Sequence, residues 1–142
     1  MTRFLLDTNV LSELVRPVPD AAVAGFVGRL DPDGMFVSVM SRFEIRRGLE
    51  RLPAGRRKDA FERRYERLLR GMRGGLLTVT AREADVGARI VSAARAAGFP
   101  LDDHLFDVLI AATASVHELT VVTRNERQFQ ATGVPVRNPW RQ

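Results

Sequence analysis

The chain contains no cysteine, one lysine, one tryptophan, one tyrosine and two histidines among 142 residues. Each scarcity removes a class of chemistry. Without cysteine there are no disulfides, no thiol nucleophile and no thiolate-bound zinc. His104 and His117 do not have the spacing of a paired-imidazole zinc site. His117 reads as a helix-end residue and His104, beside Asp102 and Asp103, as a surface-loop residue, with a place at the edge of a site as the alternative. No apolar run approaches the roughly 20 residues of a membrane-spanning helix. The N-terminus lacks a signal peptide's basic start, long apolar stretch and small-residue cleavage site. A cytoplasmic protein without membrane association is the expectation. The length suits one domain, residues 1–142, with a substantial core.

The single lysine, Lys58, leaves nearly all the positive charge to arginine. The net charge is +5, which favours an anionic partner such as nucleic acid. Its distribution says more than its total. Between Arg46 and Arg73 stand eleven basic and four acidic residues, so that segment carries +7 and the rest of the chain −2. The segment reads as a solvated helical face, as a track for nucleic-acid phosphates with Arg46, Arg63 and Arg67 as candidate contacts, or as both. Glu62 with Glu66 and Arg63 with Arg67 have the i, i+4 spacing of an exposed helix.

Short apolar runs predict strands at Phe4 to Leu6, Met35 to Val39, Leu76 to Val79, Thr120 to Thr123 and, weakly, Val134 to Val136. Helical periodicity fills the intervals. Asp20 caps Ala21 to Leu30, Thr80 caps Ala81 to Ala97, and Gly74-Gly75 closes an Arg-rich helix. Ser41 with Glu44 has the spacing of a capping box for a helix running to about Leu52. "LFDVLIAATASV" is apolar on nearly every side and predicts a buried helix. Continuous apolar strands alternating with helices predict an α/β fold: a three-layer α/β/α arrangement around a short parallel sheet.

In such sheets ligands bind outside the carboxyl ends of the strands. Asp7 closes the first strand, Glu44 falls on the first turn after the second, and Asp107 near the start of the apolar helix. Each acid also has an ordinary structural reading. Asp7 can cap the helix beginning at Thr8 or Asn9, Glu44 can complete the capping box, and Asp107 can pair with Arg42 or Arg124. Read together, the three acids need a countercharge, because two carboxylates about 4 Å apart repel by roughly 4 kcal/mol at an effective dielectric of 20. A hard divalent cation such as Mg²⁺ or Mn²⁺, which prefers oxygen ligands, relieves that repulsion.

"LLDTNVLSEL", "FEIRRGLERL", "DVLIAATASVHELTVVTRNERQF" and "GVPVRNPW", in that order along the whole chain, resemble the PIN-domain ribonucleases. The closer resemblance is to the VapC-type toxins of toxin–antitoxin modules and their FitB-like relatives. It implies a PIN-like fold and Mg²⁺- or Mn²⁺-dependent hydrolysis of RNA phosphodiester bonds. It also implies a cognate antitoxin lying across the active-site groove, and a homodimer that enters larger toxin–antitoxin assemblies. The family's metal-binding and catalytic acids fall on Asp7, Glu44 and Asp107, with Asn9, Thr123 and Asn125 supporting the site. A further acid, frequent near the TRN motif, is missing: Asn125 and Gln128 stand at its usual positions, and Glu126 is expected to point elsewhere. That departure makes one metal the expectation and leaves a rival, a non-catalytic nucleic-acid-binding or scaffold module with a decayed site. Glu13 is expected on a helix face, outside the site. A phosphoryl-transfer protein built on a strand-end aspartate fits less well. It needs an acid where Asn9 stands and a lysine after a late strand, whereas Lys58 lies in the basic segment.

Overall fold

The computed structural model of the chain describes residues 2–141. Five short strands form one parallel sheet: β1 (Phe4–Leu6), β2 (Met35–Ser38), β3 (Gly75–Leu77), β4 (Thr120–Val122) and β5 (Val136–Arg137). Their order across the sheet is β3-β2-β1-β4-β5. Strand β1 is flanked by β2, with Phe4 opposite Met35, and by β4, with Phe4 opposite Thr120. The chain thus builds outward from β1 in one direction and then returns to its other side. The point between β1 and β4 is where the winding reverses, the place at which parallel α/β sheets open a crevice.

Seven helices cover the sheet: α1 (Thr8–Leu14), α2 (Ala21–Gly28), α3 (Val39–Glu50), α4 (Arg56–Gly71), α5 (Ala81–Ala96), α6 (Leu105–His117) and α7 (Glu126–Ala131). The alternation of side chains along β1 divides them into two layers. Phe4 and Leu6 join a core with Val10, Leu11, Val23, Ile45, Leu49 and Tyr65 from α1 to α4. Leu5 faces the other way, onto Ile110, Ala111, Ala114 and Phe129 from α6 and α7. Both faces of β1 are sealed, so continuous apolar strands are what this topology requires. Among the described residues no helix is long and apolar enough to cross a membrane.

The differences from expectation have local causes. Val39 begins α3 instead of ending β2, and the cap is Ser38, whose Oγ accepts from Met40 N at 3.0 Å. Ser41 therefore lies inside the helix, its Oγ buried without a hydrogen-bond partner, and the expected Ser41–Glu44 capping box does not form. Strand β3 is Gly75–Leu77 because Gly74 carries the chain tight against β2; a Cβ there would collide with the Met35 carbonyl. Of the last apolar run Val136 pairs with β4, the strand then continuing to Arg137 beyond the run, while Val134 turns into the core. Helix α4 buries Tyr65 and packs Phe61, Leu68 and Leu69 on the core, which leaves Arg63 and Arg67 in solvent. A capping box does occur, at α5: Thr80 N and Oγ1 donate to Glu83 Oε1 at 3.1 and 2.9 Å.

Burial raises the Glu83 carboxyl, but the donors from Thr80 outweigh it and hold the group below the ordinary carboxylate range. A depressed pKa contributes stability above its unfolded-state value, and that contribution is lost as pH falls through the folded value. Thr80→Ala is expected to cost about 1 kcal/mol of unfolding free energy at pH 7. The cost should shrink at an acid pH below the depressed folded value of Glu83. Urea unfolding at the two pH values measures both, and an equal cost at each would exclude the carboxylate's part in the cap.

Candidate functional site

The crevice between β1 and β4 holds a cavity of about 450 Å³ lined by Asp7, Asn9, Glu44, Asp107, Arg124 and Asn125 among others. Asp7 leaves the end of β1, its backbone N donating to Val122 O of β4 at 3.0 Å. Its side chain is 2% exposed. One oxygen, Oδ1, accepts from Thr8 N at 2.8 Å and so caps α1. The other, Oδ2, accepts from Thr123 Oγ1 at 2.8 Å and Asn9 Nδ2 at 3.2 Å. The capping role and the site role of Asp7 therefore belong to different oxygens of one carboxylate.

Thr123, fully buried at the end of β4, is the hinge of this network. Its Oγ1 donates to Asp7 and accepts from Asn125 N at 3.0 Å and Asn9 Nδ2 at 3.3 Å. Asn9 closes the ring by accepting from Arg124 N at 3.2 Å through Oδ1. Asn9 and Thr123 thus support the buried aspartate, and Asn125 does so through its backbone. Glu44, on α3, accepts from Thr8 Oγ1 at 2.7 Å. Asp107, in the first turn of α6, has neither expected arginine partner among the described residues; Arg42 lies 3.8 Å from Glu66 instead.

Burial pushes the Asp7 carboxyl up to about 7, against the Thr123 hydrogen bond and with the help of the negative charges of Asp107 and Glu44. Asp107 is also raised, by burial and then by Glu44, with His104 opposing. The three acids therefore sense one another. Among the described residues no group of three or more Asp, Glu or His side chains is drawn tightly enough to hold an ion as it stands. The donors are all oxygen, which suits a hard divalent ion that keeps several of its own waters.

Three residues at or near the TRN motif are placed by the geometry. Glu126 is ion-paired with Arg141, away from the cavity. Asn125 lines the cavity, and Gln128 does not. Glu13 corrects its expectation: it is buried, accepts from Asp20 N at 2.9 Å, pairs with Arg16 at 3.2 Å and lines the cavity. Its i, i+3 spacing to Arg16 was the available signal. Arg46, Arg63 and Arg67 come together with Arg70, Glu62 and Glu66 in a separate groove between α3 and α4.

The fold and this acid-lined switch point define a PIN domain, and a PIN-domain family model matches residues 4–134. The chain belongs to that family. It is 36% identical over 137 residues to Toxin FitB of Neisseria gonorrhoeae, covering 96% of this chain and 97% of that one. It is 34% identical over 137 residues to VapC ribonuclease Y4jK of Sinorhizobium fredii, with 96% of each covered. The crystal structure of FitAcB from Neisseria gonorrhoeae contains a chain of 36% identity that superposes with a TM-score of 0.89, covering 98% of this chain and 99% of that chain.

A carboxyl whose folded pKa is raised contributes stability that is fully present below its unfolded value and lost as pH rises through the folded one. The stability of the wild-type protein relative to Asp7→Asn, in EDTA, is therefore expected to fall between pH 4 and pH 8, on the order of 4 kcal/mol at 1.36 kcal/mol per pH unit. Paired thermal melts across that range measure it. A constant difference would mean that Asp7 is not held protonated by burial.

Proposed function

We propose that this chain is a metal-dependent endoribonuclease that hydrolyses RNA phosphodiester bonds, the toxin of a cytoplasmic toxin–antitoxin pair, with residues 1–142 acting as one domain. The observation that carries the reading is Asp7: a carboxylate 2% exposed, held by Thr8, Asn9 and Thr123, and facing Glu44 and Asp107 across one cavity. Such a cluster is costly to keep without a cation. That cost also argues against a decayed, non-catalytic site, where an uncharged residue at position 7 would relieve it. The names Toxin FitB and VapC ribonuclease, carried by relatives aligned over nearly the whole chain, support the same activity and role.

Asp7, Glu44 and Asp107 would hold Mg²⁺ or Mn²⁺. When bound, such an ion supplies Lewis-acid activation of water and neutralisation of charge on the phosphate. The chain supplies the rest. Thr123 and Asn9 fix the Asp7 carboxylate, Thr8 fixes Glu44, and the low polarity around β1 strengthens every charge interaction in the cavity. The groove of Arg46, Arg63 and Arg67 gives an RNA backbone a second, salt-sensitive point of attachment. An apolar trough lined by Ile45, Leu49, Leu52, Phe61 and Tyr65 opens beside Thr8 and Glu44 and fits the apolar face of an antitoxin segment. Phe43 and Leu105, 52% and 54% exposed, flank the half-buried Phe106. Phe43 and Phe106 meet edge to face at 5.6 Å, and this apolar face fits a second copy of the chain.

Cleavage of single-stranded RNA is expected to need Mg²⁺ or Mn²⁺ and to stop in EDTA. Asp7→Asn and Asp107→Asn should each lose more than the roughly 10–100-fold that a merely supporting residue costs. Wild-type cleavage rates in either variant would sink the metal assignment, and the absence of any Mn²⁺ heat by calorimetry would favour the decayed site. In the same assays, charge reversal at Arg63 and Arg67 should weaken RNA binding and leave the Mn²⁺ isotherm unchanged. Separately, Phe43→Glu with Leu105→Glu is expected to convert a dimer to a monomer in light scattering; an unchanged mass would place the dimer contact elsewhere.

A further inference from the structure

Two cations line the acid cavity, Arg16 and Arg124. Arg16 is already paired with Glu13 at 3.2 Å. Arg124 has no carboxylate partner among the described residues, although its backbone N is bonded to Asn9 and three acids share its cavity. A long, exposed guanidinium beside carboxylates would ordinarily swing across and neutralise them. Here it lies over the indole of Trp140, 4.8 Å from the ring centroid, the shortest cation–ring distance among the described residues. Trp140 is itself fixed: its N donates to Asn138 Oδ1 at 2.9 Å, and its ring packs against the core cluster of α1 to α4.

We infer that Arg124 is a phosphate-binding residue of the active site and that Trp140 is its positioning residue. The inference rests on the RNA-cleaving reading given above. A guanidinium stacked on a ring keeps its edge N–H groups free, and that planar fork matches the oxygens of a phosphate. The acids demand a cation and so leave a phosphate entering the cavity without attraction to the protein's own charges. Arg124 supplies that attraction, and the stack keeps it from being spent on Asp7, Glu44 or Asp107. The closing stretch "RNPW" then belongs to the active site.

The test measures binding of a labelled single-stranded RNA oligonucleotide in EDTA, where the RNA stays intact, across a salt series. Arg124→Ala is expected to weaken binding and to reduce the slope of log affinity against log salt by about 0.7, the value for one lost contact to a single strand. Trp140→Leu, which changes no charge, should also weaken binding. The double variant should be no weaker than Arg124→Ala alone, since the ring acts through the arginine. Trp140→Phe, which keeps an aromatic face, should retain binding, and thermal melts of all variants guard against loss of fold. Additive losses, or an unchanged salt slope in Arg124→Ala, would overturn the assignment while leaving the nuclease reading intact. No RNA binding by the wild-type protein would overturn both. With Mg²⁺ or Mn²⁺ restored, absence of cleavage by a wild-type protein that binds RNA normally would remove the nuclease reading and with it the assignment of Arg124 to an active site.

Discussion

A carboxylate taken out of water at the end of β1 is the constraint around which the rest of this structure is arranged. Burial alone disfavours the charged form of Asp7, and Glu44 and Asp107 add to the effect. What folding gains from that placement is the cap that Oδ1 gives α1. The compensation is local: a backbone N–H, a threonine hydroxyl and an asparagine amide, drawn from the start of α1 and the end of β4. These donors lower the cost without removing it, since the group remains near 7. What is left is a cavity that gains from the arrival of a cation.

The topology makes this economical. Parallel strands direct their carboxyl ends to one edge, and the reversal between β1 and β4 leaves a gap there that no crossover helix covers. Asp7 and Thr123 are each the first residue after one of those two strands, so a one-step ladder partnership sets their 2.8 Å hydrogen bond. Glu44 reaches the same edge from α3, and Asp107 from the first turn of α6. The acids come from widely separated stretches of chain, and the strand order alone brings them together. Because both faces of β1 are packed, with Leu5 and Leu6 wholly buried, the position of Asp7 is as rigid as the core.

How much of this was legible in the sequence depended on whether the signal was local. Apolar runs of three or four residues marked the strands, because a strand sealed on both faces can carry nothing else. Asp7 stands out in the sequence because a carboxylate ending such a run is anomalous, whereas Glu44 and Asp107 lie on helices and carry no such mark. The cap of α3 was misread because Ser38 and Ser41 both precede apolar periodicity, and only the length of β2 decides between them. Glu13 was placed outside because its partners, Arg16 and the backbone of Asp20, hold a loop whose path no periodicity records. The stacking of Arg124 on Trp140 has no sequence signal: the residues lie on different segments, brought together by the pairing of β4 with β5 and by the Glu126–Arg141 ion pair.

Charge balance in the cavity bears on the absent fourth acid. Glu13 and Arg16 cancel one another, and Arg124 is held against Trp140, so Asp7, Glu44 and Asp107 remain to be neutralised. One divalent ion offsets two of those three negative charges. A second ion would leave the cavity positive unless a phosphate entered with it. An acid at position 125 would shift that balance toward two resident ions, while Asn125 there leaves the second charge to the substrate. The neutral residue that ends the TRN motif, Asn125, therefore fits a site completed by its substrate, and it leaves the unpaired Arg124 beside it a phosphate to meet.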